Sequence, residues 1–291
     1  MASARGDTAV SMTEAEFAFG DADFQRVRRM IHERAGIDLG PNKVSMVYSR
    51  LSRRLREIGL TDFSSYLDAL ARDARSDEWQ QFVNALTTNL TAFFREAYHF
   101  PVLADFLRER AQAGRTLRIW CAASSTGEEP WSLAMTAIET LGQGASVKIF
   151  ASDIDTKVLE QARRGVYPIA AVDALDGERR RRFFQRGTGR NDGFARVRPE
   201  LAKLVEFGRI NLIEDGWPMR DRFDAVFCRN VMIYFDKPTQ RAVLERLHRV
   251  MEPQGLLFVG HSENFTGNRD LFLLRGKTVY ARVDSGNQGA A

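Results

Sequence analysis

The feature that most constrains this fold is an alternation of apolar, strand-like runs with amphipathic helices after residue 116. Strands are predicted at 117–123, 147–152, 204–211, 223–229 and 255–261, and helices at 130–141, 156–165, 175–184 and 238–251. Strands joined through helices pair in parallel, and the helices cover both faces of the sheet. The final run is predicted to be a hairpin that turns near Arg275 and Gly276, which adds one antiparallel strand. The predicted fold class is α/β.

The N-terminal part of the chain shows helical spacing instead of this alternation. Four apolar stripes predict four helices: Phe24, Val27, Ile31 and Ala35; Val44, Val47, Leu51, Leu55 and Ile58; Phe63, Tyr66, Leu67 and Leu70; and Trp79, Phe82, Val83 and Leu86. We expect a helical domain over 21–90 and a sheet domain over 91–283. The polar ends, 1–20 and 284–291, are expected to be flexible.

Residues 185–201 interrupt the order of the sheet domain. Gly187-Thr188-Gly189 and Asp192-Gly193 are turn signals around a short alternating run at 194–198. This pattern predicts a small inserted β subdomain, and a plain surface loop is the alternative.

Positive charge is unevenly distributed along the chain. The net charge is only +4, but arginines concentrate in the first third. On the second predicted helix, Arg50, Arg53 and Arg56 lie opposite the apolar stripe. Such a face favours an acidic partner, with a solvated surface as the alternative. Nucleic acid is not expected, because no aromatic residues are interleaved with these arginines.

A cytoplasmic location is expected from the absence of targeting signals. The N-terminus lacks the apolar core of a signal peptide, and no apolar run approaches the roughly 18 residues of a membrane span. Cys121 and Cys228 lie in apolar runs, so we expect buried thiols rather than a disulfide or a metal pair. The histidines lack the spacing of metal ligands, and no metal site is predicted.

A candidate ligand site follows the first predicted strand. The chain passes there through a loop of small residues, Ala122 to Gly127, and enters a helix near Pro130. Small residues let a ligand approach the backbone, and a helix N-terminus offers free N–H groups. In open α/β sheets, ligands bind at the carboxyl ends of the strands. We therefore expect a nucleotide-like ligand at this loop.

Acidic residues narrow the choice of ligand. Asp153 follows Gly127 by about 26 residues, where a nucleotide-binding unit places a carboxylate on the ribose hydroxyls. The alternative for Asp153 is a helix cap, a role that suits Asp155 better. The loop lacks the Gly-x-Gly-x-x-Gly pattern, and Glu128 and Glu129 would repel phosphates. S-adenosylmethionine, which is cationic and free of phosphate, fits better, although two such glutamates can also serve only the helix dipole.

The segment 87–96 joins the two predicted domains. It combines hydroxyls, an amide and an arginine with two phenylalanines that are expected in the core. Asn89, Thr91 and Arg95 either form caps and surface pairs or line a cleft between the domains.

Five motifs, in this order, resemble those of the CheR family, the chemotaxis receptor glutamate O-methyltransferases. They are Asn-Leu-Thr-Ala-Phe-Phe-Arg-Glu, Ser-Thr-Gly-Glu-Glu-Pro-Trp-Ser, Phe-Ala-Ser-Asp-Ile-Asp, Phe-Cys-Arg-Asn-Val-Met-Ile-Tyr-Phe and Gly-His-Ser-Glu-Asn-Phe. The resemblance covers roughly 15–283. It implies a Rossmann-like S-adenosylmethionine-dependent methyltransferase sheet with an N-terminal all-α domain and a small inserted β subdomain. Trp131 departs from the family pattern, in which a tyrosine is commoner.

The resemblance also implies the residues of the site. The S-adenosylmethionine contacts would be Asn89, Thr91, Arg95, Glu129, Asp153, Asn211, Leu212, Asn230 and Val231, with S-adenosylhomocysteine as the product. In catalysis, Arg95 would hold the methionyl carboxylate or orient the incoming glutamate, and Tyr234 would line the acceptor pocket.

The implied partner is the cytoplasmic domain of methyl-accepting chemotaxis receptors, whose glutamate-rich helices would dock on Arg50, Arg53 and Arg56. The turn at 187–189 resembles that of members whose β subdomain binds a receptor C-terminal peptide. We expect a monomer that does not insert into membranes. Two other classes stay open, a module that senses S-adenosylmethionine without turnover and a nicotinamide oxidoreductase. Intact motifs at every strand end argue against the first, and the missing glycine pattern against the second.

Overall fold

The computed structural model describes residues 16–284 except 112–113 and 145. Parts of both ends that are predicted to be flexible, 1–15 and 285–291, lie outside the described residues. Within the described part of the chain, every helix is too short or too polar to cross a bilayer.

Four helices form the N-terminal region, as the apolar stripes predict. They are α1, Asp21–Ala35; α2, Val44–Ile58, which follows a 3₁₀ turn at Pro41–Lys43; α3, Phe63–Arg72; and α4, Glu78–Leu86. Their apolar faces meet in one cluster. Phe17 and Phe19 join this cluster, and their rings lie 6.3 and 4.5 Å from that of Phe63. The packed region therefore begins before α1, within the segment predicted to be flexible.

The following residues alternate between helices and strands. In chain order they form α5, His99–Ala111; β1, Leu117–Cys121; α6, Glu128–Leu141; β2, Val147–Asp153; α7, Thr156–Arg164; β3, Val166–Pro168; α8, Ile169–Val172; α9, Gly177–Phe183; β4, Phe184–Arg186; β5, Phe194–Val197; α10, Pro199–Ala202; β6, Val205–Arg209; β7, Phe223–Phe227; α11, Lys237–Val250; β8, Met251–Phe258; β9, Phe272–Gly276; and β10, Val279–Arg282. Of these, α5 has no counterpart among the predicted elements, although its apolar residues recur at helical spacing.

Seven strands form the main sheet in the order β6-β2-β1-β7-β8-β10-β9. In this sheet β10 runs antiparallel to both of its neighbours, and the other paired strands are parallel. Ile119 of β1 pairs with Ile149 on one side and Ala225 on the other, so β1 is an interior strand, next to the central strand β7. The predicted α/β class is confirmed, including its single antiparallel strand.

A second sheet follows α7. Its three strands are antiparallel and lie in the order β3-β5-β4. Two of them, β4 and β5, contain residues of the predicted range 185–201, whereas β3 comes from residues before α8 and α9. This sheet is the inserted β subdomain of the predicted fold.

Hydrogen bonds and a β-bridge attach the helical region to the main sheet. Asn84 on α4 donates to Thr156 Oγ1 at 3.0 Å and accepts from the Thr156 N–H at 3.2 Å. Ile37, just after α1, forms an antiparallel bridge with Phe235. Thr156 follows β2 and Phe235 follows β7. The helical region therefore covers the carboxyl edge of the sheet, where the ligand is predicted to bind.

A buried carboxylate fixes the opposite end of β7. Asp224 is fully buried and accepts hydrogen bonds from both terminal nitrogens of Arg115 and, at 2.9 Å, from the N–H of Arg118. Removing one partner of a buried pair leaves the other without its compensating charge. This contact therefore contributes to stability away from the predicted site.

We expect Asp224→Asn to lower the free energy of unfolding by about 1–3 kcal/mol, because the amide cannot match the charge of Arg115. Urea denaturation followed by circular dichroism measures the loss. The matched control is Asp221→Asn, whose carboxylate pairs with Arg118 at 2.9 Å but is 62% exposed. It should cost less than about 1 kcal/mol. Equal losses in the two variants would contradict the assignment.

Candidate active site

A cavity of about 220 Å³ opens at the carboxyl ends of the central strands of the main sheet. It is lined by all nine predicted cofactor contacts and by Tyr234: Asn89, Thr91, Arg95, Glu129, Asp153, Asn211, Leu212, Asn230 and Val231. The helical region closes the other side with Ile37, Leu39, Lys43 and Met46. One cavity thus brings together residues from four strand ends and the domain junction.

The three arginines of the predicted docking face are not among the cavity-lining residues, and they differ in their surroundings. Arg53 and Arg56 have side chains that are 79% and 57% exposed. Arg50 instead donates from Nη1 to the carbonyls of Leu86 and Thr87, at 3.0 and 2.6 Å. Its guanidinium is therefore directed toward the domain junction.

The junction itself is held by side-chain bonds to its own backbone and to β2. Arg95 donates to the carbonyl of Leu90 at 2.7 Å, which closes the turn around Thr91. Asn89 donates to Asp155 at 2.8 Å. The segment is a cavity wall, as one of the two sequence interpretations expects.

The two aspartates after β2 have different roles. Asp155 accepts from the N–H groups of Lys157 and Val158 and caps α7, as predicted. Asp153 lines the cavity and accepts from the N–H groups of Ser125, at 2.8 Å, and Asp155, at 2.9 Å. Burial raises the pKa of Asp153 to about 6, although these hydrogen bonds oppose the shift. A buried carboxylate with a raised pKa at a cavity wall is typical of a functional group.

Glu128 and Glu129 do not form the pair of ligand-facing acids that their sequence positions suggest. Glu129 accepts from Arg229 and from the thiol of Cys121, so its charge is matched within the protein. Glu128 is buried away from the cavity, accepts from Thr126 at 2.6 Å, and has a pKa raised by burial. Their positions alone therefore do not select a cationic ligand.

The glycine of the small-residue loop serves packing. Gly127 has a φ of 101°, and a Cβ at this position would lie 2.6 Å from the hydroxyl of Tyr167 and 2.9 Å from Cβ of Ala162. The Tyr167 hydroxyl donates to the carbonyl of Thr126 at 2.7 Å. The close approach at Gly127 is thus made by the protein itself, and the ligand-facing part of the loop lies earlier, at Ala122, Ala123 and Ser125.

Four non-glycine residues beside the cavity adopt left-handed backbone conformations, which the sequence does not signal. Phe94, Glu96, Ser125 and Asn230 have φ values of 51°, 54°, 48° and 55°. Such residues are strained by about 1 kcal/mol or more each and cluster at functional sites. The cavity wall is therefore built from loops that other contacts must hold in place.

A network of buried charge connects these loops. Arg229 is 4% exposed and contacts Glu129 and Glu96 and the carbonyl of Arg95. Burial opposes ionisation of Glu96, but hydrogen bonds from His261 and Asn230 and the charge of Arg229 bring its pKa down to about 2. Arg229 was noted only as a polar residue at the end of its strand, and Glu96 was not predicted as a site residue. Their place inside motifs at the cavity's edge was the available signal.

The cavity suits a nucleoside that carries an amino-acid chain. Asp153 offers acceptors for hydroxyl groups, Leu212 and Val231 offer apolar walls, and Arg95 offers a cation for a carboxylate. The residues present therefore fit the ligand that the sequence predicts.

Two family models together match almost the whole described chain. Residues 22–87 match the model described as CheR methyltransferase, all-alpha domain, and residues 89–281 match CheR methyltransferase, SAM binding domain.

The chain belongs to the CheR methyltransferase family.

Its curated relatives agree over nearly their full length. The chain is 53% identical to the chemotaxis protein methyltransferase of Escherichia coli K12 over 273 residues, which cover 94% of each chain. It is 54% identical to chemotaxis protein methyltransferase 2 of Pseudomonas aeruginosa, covering 91% of this chain and 95% of that one. It is 52% identical to the Salmonella typhimurium chemotaxis protein methyltransferase, covering 95% and 96%. This CheR protein is an S-adenosylmethionine-dependent methyltransferase, which confirms the predicted enzyme class and cofactor and excludes the oxidoreductase.

We expect the affinity of this CheR protein for S-adenosylmethionine to fall as the pH drops below about 6. The pKa of Asp153 lies near 6, so its carboxylate is ionised above that pH and becomes protonated below it. Each pH unit below should weaken binding by up to about tenfold. Titration calorimetry from pH 5 to 8 measures this. Asp153→Asn should bind weakly with little pH dependence, and a flat wild-type profile would contradict the role of Asp153.

Proposed function

We propose that this CheR protein transfers methyl groups from S-adenosylmethionine to glutamate side chains on the cytoplasmic helices of chemotaxis receptors. The products are glutamate methyl esters, which serve sensory adaptation. The observation that carries this proposal is the single cavity between the S-adenosylmethionine domain and a helical domain with a basic face. The names of the curated relatives, chemotaxis protein methyltransferases, support it.

The chemistry requires positioning more than proton transfer. An ordinary glutamate has a pKa of about 4.3, so the acceptor is already a carboxylate at neutral pH and needs no general base. When bound, S-adenosylmethionine supplies an electrophilic methyl group on a sulfonium centre. The protein must therefore align the acceptor and exclude water from the cavity.

Arg95 and Tyr234 are the residues to which we assign this alignment. Arg95 lies on the junction wall, where its guanidinium can hold a carboxylate; we rank the cofactor's carboxylate first and the acceptor glutamate second. Tyr234 lines the wall next to the helical region. Its carbonyl accepts from the N–H of Asp38 at 2.8 Å, and the adjacent bridge joins Ile37 to Phe235. The helical domain thus shapes the acceptor side.

The docking surface in this proposal is the exposed basic face of α2. Arg53 and Arg56 project from it, although Glu57 and Glu16 lie within 3.2 and 3.3 Å and moderate their charge. Arg50 supports the same face indirectly through its bonds to the junction. A glutamate-rich helix is the complementary partner, since its charge is opposite and its side chains are the methyl acceptors.

A receptor C-terminal peptide is the second contact that we propose. The outer strands of the β subdomain are β3 and β4, which pair with no further strand among the described residues, so an extended peptide can add to either. Methylation of a receptor that lacks its last residues tests this contact.

We further propose that the enzyme acts in the cytoplasm as a monomer.

The function is tested by incubating the enzyme with methyl-labelled S-adenosylmethionine and membranes that contain chemoreceptors. We expect label on the receptor band and its release by mild alkali, because methyl esters are base-labile. Arg95→Ala should lose at least about tenfold in transfer, the effect of one charged contact. Arg108→Ala, at an exposed position on α5, should not. Tight cofactor binding without receptor label would count against receptor glutamates as the methyl acceptors.

Charge reversal tests the docking face separately from the chemistry. The double variant Arg53→Glu/Arg56→Glu should raise KM for receptor about tenfold, or about 1.4 kcal/mol, with a small change in kcat. Added salt should raise the wild-type KM and so reduce the difference in KM between the wild type and the double variant. Arg108→Glu reverses an equally exposed charge that also has an acidic neighbour, and should leave KM unchanged. A fall in kcat alone would place these arginines outside docking.

A further inference from the structure

One carboxylate holds the loop that follows β7. Glu263 is 4% exposed. Its Oε1 accepts from the N–H groups of Val231, at 3.0 Å, and Met232, at 2.8 Å. Its Oε2 accepts from the N–H groups of Asn230, at 3.0 Å, and Gly260. Three consecutive N–H groups of one loop are thus bound by a single side chain.

This loop would not keep its shape without such a contact. Asn230 has a left-handed backbone, with a φ of 55°, which is strained for a residue with a side chain. The main-chain N–H groups of residues 230–232 point into the protein, and a buried N–H group without a hydrogen-bond acceptor is costly. The same loop places Asn230 and Val231 on the cavity wall. Its conformation therefore decides where two predicted cofactor contacts lie.

The fit around the loop is tight on the side of Glu263. A Cβ at Gly260 would lie 2.3 Å from Nδ2 and 2.9 Å from N of Asn230. On the other side, the Asn230 side chain donates to Glu96 at 3.1 Å. The loop is thus fixed by Glu263 through its main chain and by Glu96 through its side chain.

Burying a carboxylate without a cation is an unfavourable way to gain stability. Burial raises the pKa of Glu263, and the groups that oppose this shift are the four main-chain N–H donors. Charged groups have a large desolvation cost, which main-chain hydrogen bonds only partly offset. The arrangement fixes one loop geometry at the cavity.

We propose that Glu263 is a positioning residue for the cofactor: its carboxylate holds residues 230–232 in the conformation that binds S-adenosylmethionine. It acts through the loop and does not line the cavity. This inference rests on the proposed cofactor contacts Asn230 and Val231, but not on the identity of the methyl acceptor.

Glu263→Gln tests the proposal, because the amide keeps the size of the side chain but turns an NH₂ group toward two of the N–H donors. We expect its dissociation constant for S-adenosylhomocysteine, measured by calorimetry, to rise at least about tenfold. KM for S-adenosylmethionine should rise with it, while kcat at saturation stays within about threefold. Gly260→Ala disturbs the same loop from the same side and should show the same separation of KM from kcat.

Asp224→Asn is the matched control, since it alters a buried carboxylate at the other end of β7, away from the cavity. It should lose thermal stability and keep wild-type affinity. If Glu263→Gln and Gly260→Ala bind S-adenosylhomocysteine as tightly as wild type, Glu263 is structural only and the proposal fails. Because the deciding readout is the calorimetric affinity for S-adenosylhomocysteine, which needs no methyl acceptor, failure to methylate receptors would leave it unaffected and would count against the proposed function alone.

Discussion

The site depends on side-chain oxygens that accept the N–H groups of strained backbone. Ser132 accepts from Phe94 at 2.9 Å, Asp153 from Ser125 at 2.8 Å, and Glu263 from Asn230 at 3.0 Å. In each case the donor residue is left-handed and the acceptor lies on a different element, 28 to 38 residues away. A strained backbone conformation persists only where the surrounding structure holds it in place. These three hydrogen-bond acceptors hold the three donor residues.

Charged side chains in the same region pair with one another inside the protein. Arg229 bridges Glu129, at the start of α6, and Glu96, at the end of the junction. A buried cation between two buried anions has no need of a ligand to neutralise it, but it joins two walls of the cavity. The exposed carboxylates and arginines of the helical region interact more weakly with one another, because solvent and salt screen their charges. Affinity for the cofactor and attraction of an acidic partner therefore rest on separate charges.

The sequence predicted the main sheet well because its central strands are mostly apolar runs, and polar residues follow the carboxyl ends of β1, β2 and β7. Those polar residues are chemically distinctive, so most of the cavity lining could also be named. The elements that were missed are α5, whose helical spacing follows a junction of mixed character, and the short elements β3, α8 and α10. Arg50 was predicted to lie on an exposed docking face with Arg53 and Arg56, because helical periodicity gives the direction of a side chain but not the neighbour it meets.

Glu263 and Arg229 illustrate a further limit. Each lies within a recognised motif, yet its role comes from partners about 30 to 130 residues away in the chain. Local periodicity carries no information on such pairs, and a buried carboxylate has the same letter as an exposed one. The strain at Phe94 and Asn230 is equally invisible, since nothing in those residue types requires a positive φ.

Arg50 links the basic face of α2 to the segment that forms the junction wall. It projects from α2, and its guanidinium donates hydrogen bonds to the carbonyls of Leu86 and Thr87, immediately before the junction wall. A displacement of α2 on the order of 1 Å cannot be absorbed at that point without lengthening two short hydrogen bonds. The positions of α2 and of the wall are therefore coupled at this contact. By thermodynamic reciprocity, any free energy that ligand binding at the wall communicates to α2 equals the free energy that an event at α2 returns to the wall.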